Sequence, residues 1–139
     1  MYKRQPSKFG EREFREEIQN IWRLKIQPDL NLLIRENYKF FGAPIGMIVT
    51  IDRSFGKNGW GHVGMFLENL WLSAIHHGLG ICLQESWSIY PKTVKEFTKH
   101  PDNEIVWCGV AIGFEDSSHP INQYRTKREE LSSFVKFID

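Results

Sequence analysis

The sequence predicts a layered α/β or α+β sandwich, because segments typical of helices and strands alternate along its 139 residues. Residues 45–51 and 104–114 are apolar runs of strand length, and the second is typical of a strand in the middle of a sheet. Between them, residues 62–77 carry apolar side chains on more than one helical face, which predicts a helix buried on several sides. At this length we expect one domain, residues 1–139.

The first part of the chain is expected to form helices that precede the first strand of the sheet. Residues 1–10 are polar and predict a tail or loop. Apolar side chains then recur on one face of a helix from residue 11 to about residue 26. Pro28-Asp29 ends this helix and opens a second one, since proline suits the first helical turn. We therefore interpret residues 11–42 as a helical lead-in.

Residues 43–139 are expected to hold the sheet, the central helix and a C-terminal arm. Pro44 favours an extended entry into the first strand, and Gly78 and Gly80 suit a left-handed end of the central helix. The elements predicted here alternate between strand and helix up to residue 114, and a terminal strand follows. In order they occupy residues 45–51 (strand), 62–77 (central helix), 81–83 (strand), 92–99 (helix), 104–114 (strand) and 134–138 (strand).

Composition argues against several classes of partner. The formal net charge is only +1 and Lys and Arg form no dense block, so nucleic acid is not an expected partner. No stretch reaches the ~18 apolar residues of a membrane span, and the first residues lack the apolar core of a signal peptide. Cys82 and Cys108 have no CxxC spacing, so we expect reduced, buried strand residues in a cytoplasmic protein.

Neither a metal centre nor a hydrolase site is expected. His76 and His77 are adjacent on the predicted helix and point about 100° apart, so they cannot chelate one ion together. The sequence has no HExxH motif, no Cys/His pair at zinc spacing and no GxSxG elbow. We assign no metal ligand and no catalytic acid, base or nucleophile.

Two other features can hold a ligand. The segment Leu83, Gln84, Glu85 and Ser86 directly follows a predicted strand, where backbone N–H groups at a sheet edge can meet a ligand beside an aromatic residue. Arg125, Lys127 and Arg128 form a cationic cluster near the C-terminus. Arginine binds phosphate bidentately, so a phosphorylated cofactor is a sensible partner, but the residues alone favour a solvated charged face for this cluster.

Several blocks of the sequence, in the same order, resemble the C-terminal half of the flavin-dependent nitroreductase family. The resemblance covers roughly residues 19–139. It rests on four blocks, which are IWRLKIQPDLNLLIRENYKFFGAP (21–44), with the signature NYKFFGAP at 37–44, GMIVTIDR (46–53), GWGHVGMFLENLWLSAIHHGLGICLQ (59–84) and EIVWCGVAIGFED (104–116), followed by Asn122 and TKREELSSFVKF (126–137).

This resemblance implies an α+β, nitroreductase-like fold: a truncated three-layer α/β/α sandwich with a mixed sheet around a central buried helix. It also implies a homodimer that binds FMN and moves electrons from NAD(P)H to nitroaromatic, quinone or similar acceptors. The FMN contacts that it implies are Leu83, Gln84, Glu85 and Ser86, with Arg128 at the phosphate and Arg125 or Lys127 as helpers. The flavin then performs the redox chemistry, and the protein positions and tunes it.

The sequence also departs from the family. His62 stands where the subgroup commonly has Asp, and residues 83–86 read Leu-Gln-Glu-Ser where it has Pro-Gln-Ala-Ala. An Arg-Arg-Ser-x-Arg motif and an Asn-x-Gln-Pro-Trp segment, which supply most of the phosphate cradle, have no counterpart. We therefore expect a C-terminal fragment with an exposed sheet edge and an impaired flavin site.

The alternative function is a non-catalytic dimerising or interaction protein that retains the family's interface helix. In both interpretations residues 62–77 are expected to mediate self-association, because an apolar helix of this kind exceeds what a small sheet can cover. The side chains expected at that contact are Phe66, Leu70, Trp71 and Ile75.

Overall fold

The computed structural model describes residues 30–123, 125 and 128–138. Described residues up to Glu115 lie in one compact unit, and those from Asp116 onward lie in a second. The helix predicted at residues 11–26 lies outside the described residues, as does Lys127. The single domain over residues 1–139 stays a prediction.

The first unit contains three strands and three helices in the predicted alternating order. They are α1 (Leu30–Asn37), β1 (Ile45–Asp52), α2 (Lys57–His76), β2 (Gly80–Gln84), α3 (Pro91–Thr98) and β3 (Glu104–Gly113). The strands agree with the apolar runs of the sequence to within about one residue at each end. Short 3₁₀ turns connect these elements, and the second of them, Glu85–Ile89, follows β2 directly.

The three described strands form one sheet in the order β1-β3-β2, so the last strand in sequence lies in the middle. Both pairs are antiparallel. The mixed sheet expected from the resemblance needs a parallel pair as well, and none occurs among the strands described here. Because β2 and β1 each pair only with β3, the described sheet has two open edges.

The described part of the second unit contains a short helix, α4 (Pro120–Gln123), and a 3₁₀ turn at Leu131–Ser133. The strand predicted at residues 134–138 is wrong, since no strand is formed there. The amides of Phe134 and Val135 donate to the Leu131 carbonyl at 3.3 and 2.9 Å, so they bond locally rather than to a ladder.

Helix α2 begins earlier than predicted and ends where predicted. Its first turn contains Gly59, whose added Cβ would overlap the Phe55 side chain and approach Ile51. Close packing therefore favours glycine inside this helix, although the Gly-rich stretch alone is typical of a loop. At the other end, Gly78 has a φ of +71° and stops the helix as predicted, whereas Gly80 begins β2.

The core lies between one face of α2 and one face of the sheet. Leu67 on the helix packs against Cys108, Val110 and Ile112 of β3. Half-buried neighbours complete this layer, among them Met47, Val49, Val63, Leu70, Leu79, Ile81 and Trp107. The opposite face of α2 is exposed in the single chain although it is apolar, and its exposed side chains include Met65, Leu72 and Ile75.

A β-bulge at Trp107 interrupts the ladder between β1 and β3. Val49 pairs with Cys108 and Thr50 pairs with Val106, so Trp107 has no partner opposite it. Bulges redirect the side chain of the extra residue. The Trp107 ring packs on the core and lies 5.6 Å from the ring of Trp60, centroid to centroid.

Residues 40–42 form a turn with left-handed backbone. Phe40, Phe41 and Gly42 have φ values of +53°, +52° and +76°. Non-glycine residues seldom adopt this conformation, because the Cβ approaches the following carbonyl. Phe40 is held there by packing: its ring lies where a Cβ on Gly46 would be. The turn therefore stores backbone strain that aromatic packing offsets.

Gly42→Ala is expected to lower the free energy of unfolding by about 1 kcal/mol, because alanine pays the left-handed penalty that glycine avoids. No heavy atom lies within 4 Å of the added Cβ, so the effect isolates backbone strain. Gly61→Ala is the matched control. Its Cβ also meets nothing within 4 Å, but the site is helical, so we expect a gain of roughly 0.5–1 kcal/mol. Urea unfolding measures both; the same sign for the two variants would contradict the prediction.

Candidate functional site

The segment predicted to contact a ligand spans the end of β2 and the start of the following 3₁₀ turn. Leu83 and Gln84 are the last strand residues, and Glu85 and Ser86 open the turn. The side chains of Leu83 and Glu85 are exposed, whereas Gln84 is buried and Ser86 is half-buried. Because β2 is an open edge among the described strands, this loop lies at the margin of the sheet.

The side chain of Gln84 is buried and hydrogen-bonded to other protein groups. It is 2% exposed, and its Nε2 donates to the Asn37 carbonyl at 2.9 Å. Its Oε1 accepts from the indole Nε1 of Trp87 at 3.4 Å. Both ends of the amide are occupied by protein groups, so a ligand at this position meets the backbone of Gln84 rather than its side chain.

Ser86 differs from Gln84 because its hydroxyl has no protein partner. Among the described residues, Ser86 Oγ is the buried side-chain polar atom left without a hydrogen bond. Its carbonyl accepts from the hydroxyl of Tyr38 at 3.2 Å. A buried hydroxyl that lacks a partner destabilises the fold by roughly 1–3 kcal/mol unless a ligand or water satisfies it. Ser86 therefore gives the loop a polar atom whose hydrogen-bonding capacity the described protein groups do not use.

An aromatic cluster supports this loop from one face of the sheet. The Trp87 and Phe40 rings stack with centroids 4.7 Å apart, and Tyr38 meets Trp87 edge-on at 5.3 Å. Trp87 lies directly over Gly109 of β3, where any added Cβ would overlap its ring. Tyr90 adds a further edge contact to Tyr38 at 5.4 Å. Sequence reasoning placed Tyr38 and Phe40 in a motif but missed their contact with the loop, which joins segments distant in the chain.

Glu85 places negative charge near the core side of the loop. Burial raises the pKa of the Cys108 thiol, and the charge of Glu85 raises it further. Both cysteines are free, Cys108 buried and Cys82 exposed on β2. The prediction that both are buried is therefore wrong for Cys82. A carboxylate here opposes an anionic ligand, as expected from the sequence.

The predicted cationic cluster belongs to the second unit. Arg125 and Arg128 are exposed, and the Nη1 of Arg125 donates to the Asn122 carbonyl at 2.7 Å. The loop at residues 83–86 belongs to the first unit. That these cations and the loop serve one ligand stays a prediction.

Outside the loop, an apolar groove of about 320 Å³ lies between β1 and the first half of α2. Its lining includes Phe55, Phe66 and His62, and it holds none of the predicted site residues. The described residues contain no group of three His, Cys, Asp or Glu side chains placed to hold a metal ion. In the same part of the chain, no helix has both the length and the apolar character of a membrane span.

The family model for the nitroreductase family matches residues 4–114. The chain belongs to the nitroreductase family. The match includes the loop at residues 83–86 and part of the stretch predicted as a polar tail. It ends before Arg125, Lys127 and Arg128, so their resemblance to the family's C-terminal arm lies outside it.

Two curated relatives of this nitroreductase-family chain are named as reductases of nitroaromatic compounds. The 4-nitrobenzoate reductase of Pseudomonas putida is 36% identical over 102 residues, which are 73% of this chain and 45% of that protein. The chloronitrobenzene nitroreductase of Comamonas testosteroni is 33% identical over 105 residues, 76% of this chain and 46% of that protein. The chain thus spans about half the length of the curated relatives it matches.

The fold of this family member also agrees with solved structures. The FMN- and NADPH-dependent nitroreductase NfnB from sphigopyxis sp. strain HMH superposes with a TM-score of 0.84 at 28% identity, covering 100% of this chain and 65% of that chain. The FMN-dependent NfnB from Mycobacterium smegmatis, in complex with NADPH, superposes with a TM-score of 0.79 at 22% identity. The nitroreductase-like fold predicted from the sequence is confirmed.

Proposed function

We propose that this chain forms part of an FMN site in a nitroreductase-like oxidoreductase that passes electrons from NAD(P)H to nitroaromatic, quinone or similar acceptors. The observation that carries the site is the buried hydroxyl of Ser86, which has no partner in a loop at the sheet edge. Family membership and the names of the relatives support the reaction class. The free thiols of Cys82 and Cys108 support a reducing, cytoplasmic location.

The residues present fit one end of a flavin. Ser86 offers a hydroxyl that can donate to or accept from a ring heteroatom, and Leu83 offers an exposed apolar contact. Glu85 is exposed, so its carboxylate can turn toward water and away from a reduced, anionic ring. When bound, FMN supplies the electron-accepting and electron-donating ring. The role of the loop is to orient that ring and to pair with its polar edge.

The phosphate would be held by the cationic cluster. Arg128 is the main candidate, and Arg125 and Lys127 are helpers, because a guanidinium pairs bidentately with a phosphate. The relatives are about twice as long as the matched part, and the remainder of such a protein can supply further phosphate ligands. We therefore propose that this chain by itself binds FMN more weakly than a complete site does.

The test is titration of the purified chain with FMN, followed by NADH or NADPH and a nitroaromatic acceptor. We expect saturable quenching of flavin fluorescence and oxidation of the nicotinamide that depends on both FMN and acceptor. Flavin fluorescence that the chain leaves unchanged at every concentration would overturn the proposal.

Arg128→Ala is expected to weaken FMN binding by about 1.5–3 kcal/mol, the usual contribution of a charge-assisted hydrogen bond. Arg125→Ala should have a smaller effect, since one cation already screens the phosphate. Riboflavin, which lacks the phosphate, is the control ligand and should bind all three proteins alike. Fluorescence titration measures this, and equal losses for FMN and riboflavin would mean that Arg128 supports the fold instead.

A second candidate function rests on the exposed apolar face of α2, which includes Met65, Leu72 and Ile75. We propose that two copies of the chain associate through this face, in agreement with the expected homodimer. Leu70, which was expected at the contact, packs on the core instead. If the dimer forms and no flavin binds, the chain is a non-catalytic dimerising protein; a colourless dimer at saturating FMN would favour that function.

A further inference from the structure

We propose that Tyr38 is a positioning residue for the candidate flavin loop, and that it acts by fixing the peptide after Ser86 with the help of Gln84. This inference rests on the proposed function, because it concerns the same loop. Tyr38 itself lies at the end of α1 and is assigned no ligand contact. Its role would be to hold the loop in the geometry that the flavin requires.

Two hydrogen bonds join the end of α1 to the loop, and each segment donates one of them. The Tyr38 hydroxyl donates to the Ser86 carbonyl at 3.2 Å, and Gln84 Nε2 donates to the Asn37 carbonyl at 2.9 Å. Two bonds at adjacent residues restrict both sliding and rotation of one segment against the other. We call Asn37, Tyr38, Gln84 and Trp87 the clasp.

The surroundings of the Tyr38 hydroxyl orient it correctly to donate. At neutral pH the phenol of Tyr38 is protonated at its ordinary pKa and can donate. Burial raises this pKa, and the charge of Tyr90 and a side-chain hydrogen bond with Tyr90 raise it further. Edge-on contacts with the rings of Trp87 and Tyr90 fix the orientation of the Tyr38 ring. The hydroxyl therefore reaches the Ser86 carbonyl from a packed ring rather than from a mobile one.

The backbone that follows Tyr38 is strained, and this strained conformation lets Phe40 pack against Trp87 of the clasp. Phe40 adopts a φ of +53° and stacks on Trp87 at 4.7 Å, which places Trp87 between Phe40 and Gly109. Trp87 in turn donates to Gln84. Strained residues persist where the surrounding structure over-determines them, and they cluster at functional sites.

Fixing the Ser86 carbonyl also fixes the hydroxyl on the same residue. Ser86 Oγ is buried and lacks a protein partner, so its own bonding does not orient the residue. Without the Tyr38 bond the Ser86 carbonyl is held by the 3₁₀ turn Glu85–Ile89 alone. We then expect this turn to open more often, so that the hydroxyl and the adjacent amides lose their common direction. A ligand would then have to order the loop when it binds, which weakens binding.

The experiment uses Tyr38→Phe in the full chain, which removes the donor and keeps the ring. Amide hydrogen exchange at Glu85, Ser86 and Trp87 is measured without flavin, and FMN affinity and the visible flavin absorption band are measured at saturation. We expect faster amide exchange in the loop and a shifted flavin absorption band. We also expect FMN affinity to fall by about fivefold, which corresponds to the loss of one neutral hydrogen bond. If Tyr38→Phe folds poorly, Gln84→Met is used instead. It removes the bond to the Asn37 carbonyl at similar side-chain volume, and we expect the same changes in exchange, FMN affinity and absorption.

Thr98→Val is the matched control, since Thr98 Oγ1 also donates to a backbone carbonyl, that of Val94 at 2.9 Å on α3. It should leave the loop and the flavin band unchanged. Unchanged loop exchange in Tyr38→Phe would overturn the inference, as would faster exchange with wild-type FMN affinity and spectrum. Absence of FMN binding by the wild-type chain would instead overturn the proposed function, which separates the two failures.

Discussion

Leu67→Ala is expected to lower the free energy of unfolding by about 2–5 kcal/mol, the range for emptying a leucine site in a packed core. Leu67 is 5% exposed and is the α2 residue at the centre of the core cluster with Cys108, Val110 and Ile112. Its loss leaves a cavity between helix and sheet that β3, the middle strand, cannot close without breaking its pairing on both sides. Denaturant unfolding followed by circular dichroism measures the change.

Leu131→Ala is the control for this prediction, because it makes the same chemical change at a side chain that is 56% exposed. It should change the free energy of unfolding by no more than about 0.5 kcal/mol. A loss below about 1 kcal/mol for Leu67→Ala would show that the described core contributes little to the stability of the chain.

Leu72→Glu is expected to weaken self-association by a hundredfold or more, corresponding to about 3–5 kcal/mol for an unpaired charge buried in an interface. Leu72 is 58% exposed on the face of α2 that points away from the sheet, so the change should not disturb the monomer core. Sedimentation velocity over a range of concentrations gives the dissociation constants of the two proteins.

The matched control for the interface is Phe97→Glu, which places the same charge at an apolar residue that is 90% exposed on α3. It should leave association unchanged. Two results would contradict the proposed dimer: a wild-type chain that stays monomeric at micromolar concentration, or a Leu72→Glu dimer as tight as the wild type.

The elements of the first unit could be predicted because local signals and tertiary packing agree there. The apolar runs at 45–51 and 104–114 form strands, and Gly78 ends the central helix in left-handed backbone as predicted. The start of α2 could not be predicted, since Gly59 is required by its contact with Phe55, and composition alone favours a loop. The strand predicted at residues 134–138 was wrong for a related reason. Apolar character favours a strand, but a strand also needs a neighbouring strand to pair with.

The candidate loop could be located from the sequence, but the direction of its side chains could not. Gln84 is predicted as a ligand contact, which stays a prediction, and its side-chain amide is hydrogen-bonded to Asn37 and Trp87. The bond to Asn37 connects residues 47 positions apart, and no spacing rule in a single sequence reveals it. Tyr38 was missed for the same reason. The part assigned to Arg128 needs the position of the second unit and stays a prediction.

The strand order has a consequence for how the chain acquires its fold. Neither β1 nor β2 has a partner until β3 exists, because every ladder in the described sheet includes the strand made last. During synthesis, α2 would therefore form while the surface it packs on is missing, leaving both of its apolar faces open to water. Such a chain depends on late, long-range contacts, which slows folding and prolongs exposure to aggregation. A ribosome-bound intermediate that ends before Glu104 would contain neither of the two strand pairs of the described sheet.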